Sequence, residues 1–423
     1  WITTILIFPF AGIILYFLAG NKKSARPIHN KINRNKIYPL DLPSLALQEH
    51  TLGDQTMTLL HHLSSYPITP VSHSKFYPLG DDMFPDMVKA LKEAKHFIFI
   101  EYFIIEKGVF WNTIVEILKE KVKEGVIVKV LYDDIGSIST YSLHSQIDLK
   151  KAGIDLVSFN PLIYLAFRLN NRDHRKMMII DNEIVFSGGV NLADEYINQK
   201  TRFGHWKDNG VRLTGEVVKS FTISFLCNLE IASKTKVDYE WYINEIEKNI
   251  PKLKNNEKGF VQYFSDGPDN RKNPGESAYV QILNTAKKYV YIYTPYFVVS
   301  DEVLNAILNA GRSGIDVRII TPHKPDKWYV HVITRSYYQV LLEAGVRVYE
   351  YEPGFLHAKT MLSDDTTCMI GTTNLDFRSL NLNYECSVIT YDTGVEDDVK
   401  SDYIKTMEKS IEIKLEDVKN KNV

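Results

Sequence analysis

At 423 residues, 44% of them hydrophobic, the chain is long enough for two or three ordinary domains with sizeable cores, which excludes global disorder. Its 50 basic and 52 acidic residues nearly cancel, so no overall charge field marks nucleic acid as an obligatory partner, and any attraction to anions must be local. Cys227, Cys368 and Cys386 lack CxxC spacing and encode neither a disulfide framework nor a zinc site, which fits a reducing compartment.

Residues 1–20 (WITTILIFPFAGIILYFLAG) carry no charge and, as one helix, would cross the roughly 30 Å of a bilayer core. They predict a transmembrane helix, in which Pro9 is tolerable and Trp1 and Tyr16 suit the interfaces. A cleaved signal peptide is the competing reading, but its apolar core is normally shorter and followed by a small-residue cleavage site. A start at Trp rather than Met predicts a further piece before it. Residues 21–58 read as a basic juxtamembrane linker: Lys22, Lys23, Arg26, Lys31, Arg34 and Lys36 all precede the first acidic residue, Asp41. By the positive-inside rule this side is cytoplasmic. The same cations could rest on anionic headgroups, each worth on the order of 1 kcal/mol near the surface, or form a plain solvated linker.

Beyond the linker the chain repeats itself. AKHFIFI at 94–100 matches AKKYVYI at 286–292, EGVIVKVLYDD at 124–134 answers SGIDVRIITPH at 313–323, and AGIDLVSFNP at 152–161 answers AGVRVYEYEP at 344–353. Alternating helices and β-branched or aromatic strands predict an α/β sandwich with a parallel or mixed sheet in each half. The expected domains are 59–240 and 259–423, joined by a charged linker at 241–258 and facing each other across a pseudo-twofold axis. Pro161 and Pro353 are 192 residues apart, but the histidines that follow them, His174 and His357, are only 183 apart. The first half therefore carries an apolar insertion (Leu162, Ile163, Tyr164, Leu165, Ala166, Phe167, Leu169), read either as a gate touching lipid chains or as an ordinary core helix.

Within the repeat, His174, Lys176, Asp181, Gly188 and Asn191 recur at identical spacing as His357, Lys359, Asp364, Gly371 and Asn374. Read as a strand, each HxK places its histidine and lysine on one face, and the small residues after the turn let the backbone and the asparagine come close. Two imidazoles, two ammonium groups and two amides then converge. Such a site suits a phosphodiester, whose developing charge needs fixed donors while the histidines stand on opposite sides of phosphorus. One HxKxxxxD arises by chance in some proteins; two copies inside an independent repeat make chance a minor explanation. Tyr102, Phe103, Tyr296 and Phe297 are expected as core or pocket-wall aromatics, and lone histidines such as His96 and His331 as structural or surface residues.

The stretches RDHRKMMIID, FSGGVNLADEY, FGHWKDNGVRLTGEVV, IYTPYFVVSDEVL, GFLHAKTMLSD and IGTTNLDFRSLNLNYE resemble the phospholipase D superfamily over nearly the whole chain after the linker, and within it the bacterial cardiolipin synthases. The resemblance implies two tandem phospholipase D-like α/β sandwich domains behind a membrane helix, and a metal-free, cofactor-free double displacement. It implies His174 as the nucleophile and His357 as general acid, then base. Lys176, Lys359, Asn191 and Asn374 would hold phosphoryl oxygens, while Asp181 and Asp364 complete the motifs, chiefly as structural supports. It also points to Asp208 and Glu385 as carboxylates orienting the imidazoles, against the plainer reading of surface or salt-bridge acids. At the fixed offset of 183 the first-half position matching Glu385 is Arg202, so Asp208 is expected to serve the first half from a different turn. The implied activity is phosphatidyl transfer between two phosphatidylglycerol molecules, giving cardiolipin and glycerol at a bacterial cytoplasmic membrane, with the catalytic domains on the cytoplasmic side. No nucleic acid partner is expected, and a homo-oligomer stays open. Lipid hydrolysis, a nuclease and an inactive lipid-binding scaffold are the alternatives. The chain departs from the family at SIEIKLEDVKNKNV, which lacks the basic, apolar tail that the resemblance leads one to expect.

Overall fold

The computed structural model describes residues 2–16, 55–64, 66–161, 170–245, 258–268, 270 and 272–419. The basic segment 21–36 and the insertion 162–169 lie outside the described residues, as does most of the expected central linker, of which Trp241–Glu245 forms one helical turn.

Two mixed sheets carry the duplication. The first, in spatial order, is His73–Tyr77, Gly210–Thr214, Ile184–Gly188, Lys176–Ile180, Phe97–Tyr102, Ile127–Asp133 and Asp155–Phe159. The second repeats that order as Phe260–Asp266, Glu385–Tyr391, Thr367–Gly371, Thr360–Ser363, Tyr289–Tyr293, Asp316–Pro322 and Arg347–Tyr351. It gains an edge strand at each side, Ile68–Pro70 and Ser410–Ile413. The three strands joined by helices are parallel and the others pair antiparallel, Lys176–Ile180 with Ile184–Gly188 and Thr360–Ser363 with Thr367–Gly371 through short turns.

Period-two alternation sorts the strand side chains into layers. In FIFIEY, Phe97 and Phe99 point inward, and Ile98 and Ile100 point to the outer helices Gly80–Glu93 and Val109–Lys123. The inward residues of both halves share one core, in which Phe97, Met177, Val185 and Leu213 join Tyr291, Leu362, Ile370 and Val388. Each fully buried apolar side chain contributes about 1.5–3 kcal/mol, so this joint core binds the halves into one unit. The helix Val217–Ser233, buried at nearly every position up to Leu229, lies between the sheets, and Val395–Met407 answers it in the second half. The helix Gln55–Ser64 and strand Ile68–Pro70, expected largely within the first domain, instead pack on the second: Met57, Leu60 and Ile68 enter its outer core, and Ile68 pairs with Gln262.

The amino terminus departs from expectation. Residues 2–16 form two short helices, Ile2–Ile7 and Pro9–Leu15, rather than a continuous span. Pro9 has no N–H to give the preceding turn, and Phe8 at φ −128°, ψ 76° leaves helical geometry. Gly12 lets the second piece fold against the first, since a Cβ there would stand 2.8 Å from Ile5 Cα. No helix among the described residues is long and apolar enough to cross a membrane, and residues 17–20 lie outside them.

Candidate active site

Each motif histidine lies just ahead of its strand, on a short stretch of backbone paired with the opposite half. His174 N–H donates to Tyr384 O (2.9 Å), and Tyr384 N–H donates to Arg172 O (2.8 Å). The mirror arrangement is a parallel pair, Gly354–Leu356 with His205–Lys207, after which His357 N–H donates to Lys207 O (2.7 Å). The residue after Lys207 is Asp208 and the residue after Tyr384 is Glu385, so each carboxylate emerges beside the other half's histidine. His174 Nδ1 stands 2.9 Å from Glu385 Oε2, and His357 Nδ1 stands 2.6 Å from Asp208 Oδ2.

This crossing corrects the expectation that Asp208 serves the first half. It also corrects the match of Glu385 with Arg202. In the sheets, Gly210 pairs with Gly188 and Ser387 with Gly371, so Asp208 and Glu385, each two residues earlier, are true counterparts. The constant offset fails because 34 residues separate His174 from Asp208 but only 28 separate His357 from Glu385. Arg202 is exposed and lies 3.9 Å from Glu195.

The carboxylates are buried completely but are held differently. Glu385 accepts from Thr372 Oγ1 (2.5 Å), Ser379 Oγ (2.6 Å) and Asn383 Nδ2 (3.4 Å) as well as facing His174. Burial pushes its carboxyl up to about 7 despite Lys176. For Asp208, burial also pushes upward, but Lys359 and His357 outweigh it and hold the group below the usual carboxylate range. Gly189 makes room for it: a Cβ there would stand 2.0 Å from Asp208 Oδ1.

Lys176 and Lys359 each donate from Nζ to the carbonyl of the histidine two residues before, the first at 2.7 Å. Burial pulls Lys176 down to about 8 and Lys359 to about 7. Burial together with both lysines holds His174 well below its ordinary value, and His357 falls to about 3 through burial and Lys359. Each histidine thus feels the lysine of the other half, and the two motifs form one electrostatic site. An anion between them would reverse these shifts, because desolvated cations gain most from a charge of opposite sign.

Other expected residues take supporting positions. Asn191 accepts at Oδ1 from Ile104 N–H (3.1 Å) and donates from Nδ2 to Tyr196 Oη (2.7 Å), which anchors it within its own half. Asn374 N–H donates to Ser379 Oγ (2.9 Å), and its Oδ1 is buried without a partner. Asp181 and Asp364 lie away from the histidines. Asp181 accepts from the N–H groups of Lys95, His96 and Phe97 (2.7–2.8 Å), and Asp364 from those of Lys287, Lys288 and Tyr289 (2.6–2.9 Å). Each ties the turn after the motif to the start of the neighbouring strand.

The walls include residues that motif spacing does not mark. Phe103 packs edge-on to His174 with centroids 5.0 Å apart, while Tyr196, Trp206 and Phe355 surround His357 at 5.5–5.8 Å. Tyr102 and Phe297 are core residues. Tyr296 donates to Asp326 Oδ2 (2.6 Å) and receives Lys327 Nζ (3.0 Å), and the Lys327 charge acts on His174. Beneath His174 only, buried Arg172 grips Asp133 at 2.8–3.0 Å, and Arg175 faces Asp173 and Glu101. The matching second-half positions flanking His357 are apolar Phe355, Leu356 and Ala358. Among the described residues no group of His, Cys, Asp and Glu could hold a metal ion.

Known proteins place this arrangement. The sequence profile described as "Cardiolipin synthase, PLD-like domain" matches residues 87–218 and 279–410, one stretch in each half. An uncharacterized protein of Streptococcus mutans is 38% identical over 97% of this chain and 89% of its own length. The cardiolipin synthase of Alkalihalophilus pseudofirmus is 35% identical over 100% of this chain and 84% of its own, and that of Clostridium perfringens strain SM101 is 33% identical over 100% and 90%. The fold is shared with a phosphatidylserine synthase of Haemophilus influenzae (TM-score 0.64, 16% identity, 85% of this chain and 92% of that one). Each profile match carries one histidine of the crossed pairs, and the chain belongs to the cardiolipin synthase family of phospholipase D-like proteins.

Proposed function

We propose that the chain is a phosphatidyltransferase that joins two phosphatidylglycerol molecules into cardiolipin and releases glycerol. The observation that carries this reading is the pair of buried imidazoles, each backed at Nδ1 by a carboxylate from the opposite half and flanked by a buried lysine. A carboxylate at Nδ1 selects the tautomer whose Nε2 lone pair is free to attack phosphorus, and it stabilises the cation that attack creates. The first displacement forms an N–P bond and breaks the P–O bond to glycerol, whose oxygen takes a proton from the other imidazole. A hydroxyl of the second phosphatidylglycerol then gives that imidazole its proton, attacks phosphorus and breaks the N–P bond. Lys176 and Lys359 would carry the equatorial oxygens, Asn374 and Asn191 would assist, and the reaction needs no metal or cofactor.

The family resemblance gives the attack to His174. A second reading, attack by His357, is favoured by the carboxylates: Asp208 is held ionised beside His357, while Glu385, pushed up to about 7, lets the His174 pair hold the proton that the leaving group needs. Enzyme quenched by denaturant at alkaline pH, where the N–P bond survives, and digested for mass spectrometry decides between them by which histidine peptide carries the phosphatidyl group.

Residence at a bacterial cytoplasmic membrane, with both catalytic halves (59–240 and 259–423) on the cytoplasmic side, belongs to the same proposal. It is supported by the exposed apolar side chains Leu6, Phe8 and Phe10 and by the cations of 21–36. Purified enzyme incubated with labelled phosphatidylglycerol and no nucleotide should yield cardiolipin and glycerol in equal amounts. Phosphatidic acid as the main product would make the enzyme a hydrolase, and no product at all would remove the reading.

A further inference from the structure

The connection after the strand Asp316–Pro322 contains a helix, Trp328–Ser336, that turns apolar side chains outward. Trp328 is 73% exposed, Tyr329 52%, Val332 49% and Ile333 43%. Spaced i, i+1, i+4 and i+5, they occupy one helical face. The helix cannot roll to hide that face, because its other side is pinned. Thr334 is buried and its Oγ1 accepts from Phe297 N–H (3.1 Å). Arg335 reaches buried Glu350 with two bonds of 2.8 and 2.7 Å, and Glu350 also holds His323 at 2.8 Å.

The position of this face matters as much as its composition. Lys327, immediately before the helix, bonds Tyr296 Oη and acts electrostatically on His174, so the helix begins at the rim of the active site. Two more exposed apolar residues stand on that rim. Ile138, 61% exposed, lies two residues after Gly136, which abuts Phe103, the ring packed on His174. Phe377, 51% exposed, lies two residues before Ser379, which holds Glu385. The helix segment 328–336 has no acidic residue, and Lys324 and Lys327 beside it are exposed. Tryptophan and tyrosine with aliphatic neighbours and flanking lysines match the chemistry of a headgroup layer over acyl chains, where the aromatic rings sit at the boundary and the cations meet anionic phosphates.

We infer that the outward face of Trp328–Ser336, completed by Ile138 and Phe377, docks the mouth of the active site onto an anionic lipid bilayer. This docking lets phosphatidylglycerol reach the histidines without crossing water. The inference rests on the lipid-transfer reading above and adds the surface through which substrate arrives. It is separate from any anchoring by the amino terminus, so turnover at the bilayer, rather than binding to it, is the discriminating measurement.

The test uses the full chain carrying Val332→Asp and Ile333→Asp, assayed on phosphatidylglycerol vesicles and on monomeric short-chain phosphatidylglycerol below its micelle concentration. Turnover of vesicles should fall roughly tenfold or more, while turnover of the monomeric substrate stays within about twofold of the parent. Val332→Leu with Ile333→Leu should leave both rates in place. Trp328→Ser, which touches no buried contact of the helix, should lower the vesicle rate alone. Unchanged vesicle turnover in both the aspartate and serine variants overturns the docking face, as does equal loss on both substrates in Trp328→Ser. If the aspartate variant instead splits a dimer of the parent chain without a selective vesicle defect, the face is an interface between copies and the inference is wrong. A parent chain that turns over neither substrate removes the lipid-transfer reading itself, whereas a parent active on both leaves that reading standing whatever the variants do.

Discussion

Glu385→Gln tests the crossing of the two halves directly. The carboxylate is buried with four partners: His174, Thr372, Ser379 and Asn383. The glutamine amide has the same shape, and the two hydroxyls can rotate to accept from it, so the fold should survive. The bond to His174, at 2.9 Å, loses its charge. A hydrogen bond to a charged group is worth about 1.5–3 kcal/mol and a neutral one about 1, a difference that corresponds to roughly 2- to 30-fold in rate. If the imidazole also takes the wrong tautomer, the loss could approach about 10⁴-fold. The assay is turnover of a phosphodiester with an activated leaving group, so that residual rates remain measurable when one histidine is removed. Residues acting as a unit are not additive. Glu385→Gln should therefore cost almost nothing further in a His174→Ala background and its full effect in a His357→Ala background, with Asp208→Asn giving the reverse pattern. An equal further loss in both backgrounds, or the dependence on the same-half histidine, would refute the crossed assignment.

The lysines set a pH dependence. Lys359 and Lys176, pulled down to about 7 and about 8, are cationic below those values and lose charge above them. Consequently kcat/KM should fall as pH rises through that window, and Lys359→Arg should move the falling limb to higher pH; a profile flat from about pH 6 to about pH 9 would count against the role of the cations. Asp181→Asn keeps at most part of a set of three backbone N–H acceptances, so thermal unfolding should show about 2–3 kcal/mol of lost stability with KM unchanged in the surviving folded enzyme. A KM effect larger than the stability effect would return Asp181 to the active site. Gly189→Ala would press a methyl group on Asp208 Oδ1, and its kcat should drop at least about tenfold; wild-type kcat in that variant would show that Asp208 has room to move.

Much of this protein is written locally. The alternation in FIFIEY and KMMII and the recurrence of whole segments at a common spacing specify two like sheets, because side-chain periodicity and burial act over a few residues. The HxK pairs were legible for the same reason, since residue type and short spacing carry the chemistry. What lay beyond reach depends on partners distant in sequence. Glu385 is 211 residues from the histidine it holds and Asp208 is 149 from its own, and a fixed repeat offset misassigned both. Loop lengths between strands can vary while sheet register is kept, so register, and not residue counting, defines equivalence. Thr372 and Ser379 carried no signal of their own until Glu385 was placed between them. The twenty uncharged residues at the start spelled a span by composition, yet residues 2–16 take two helices broken at Pro9. Sequence alone determined a duplicated α/β chain with paired phosphoryl-transfer motifs. Tertiary structure decided that neither half holds a complete pair, because the backbone stretches that position each histidine are hydrogen-bonded across the interface.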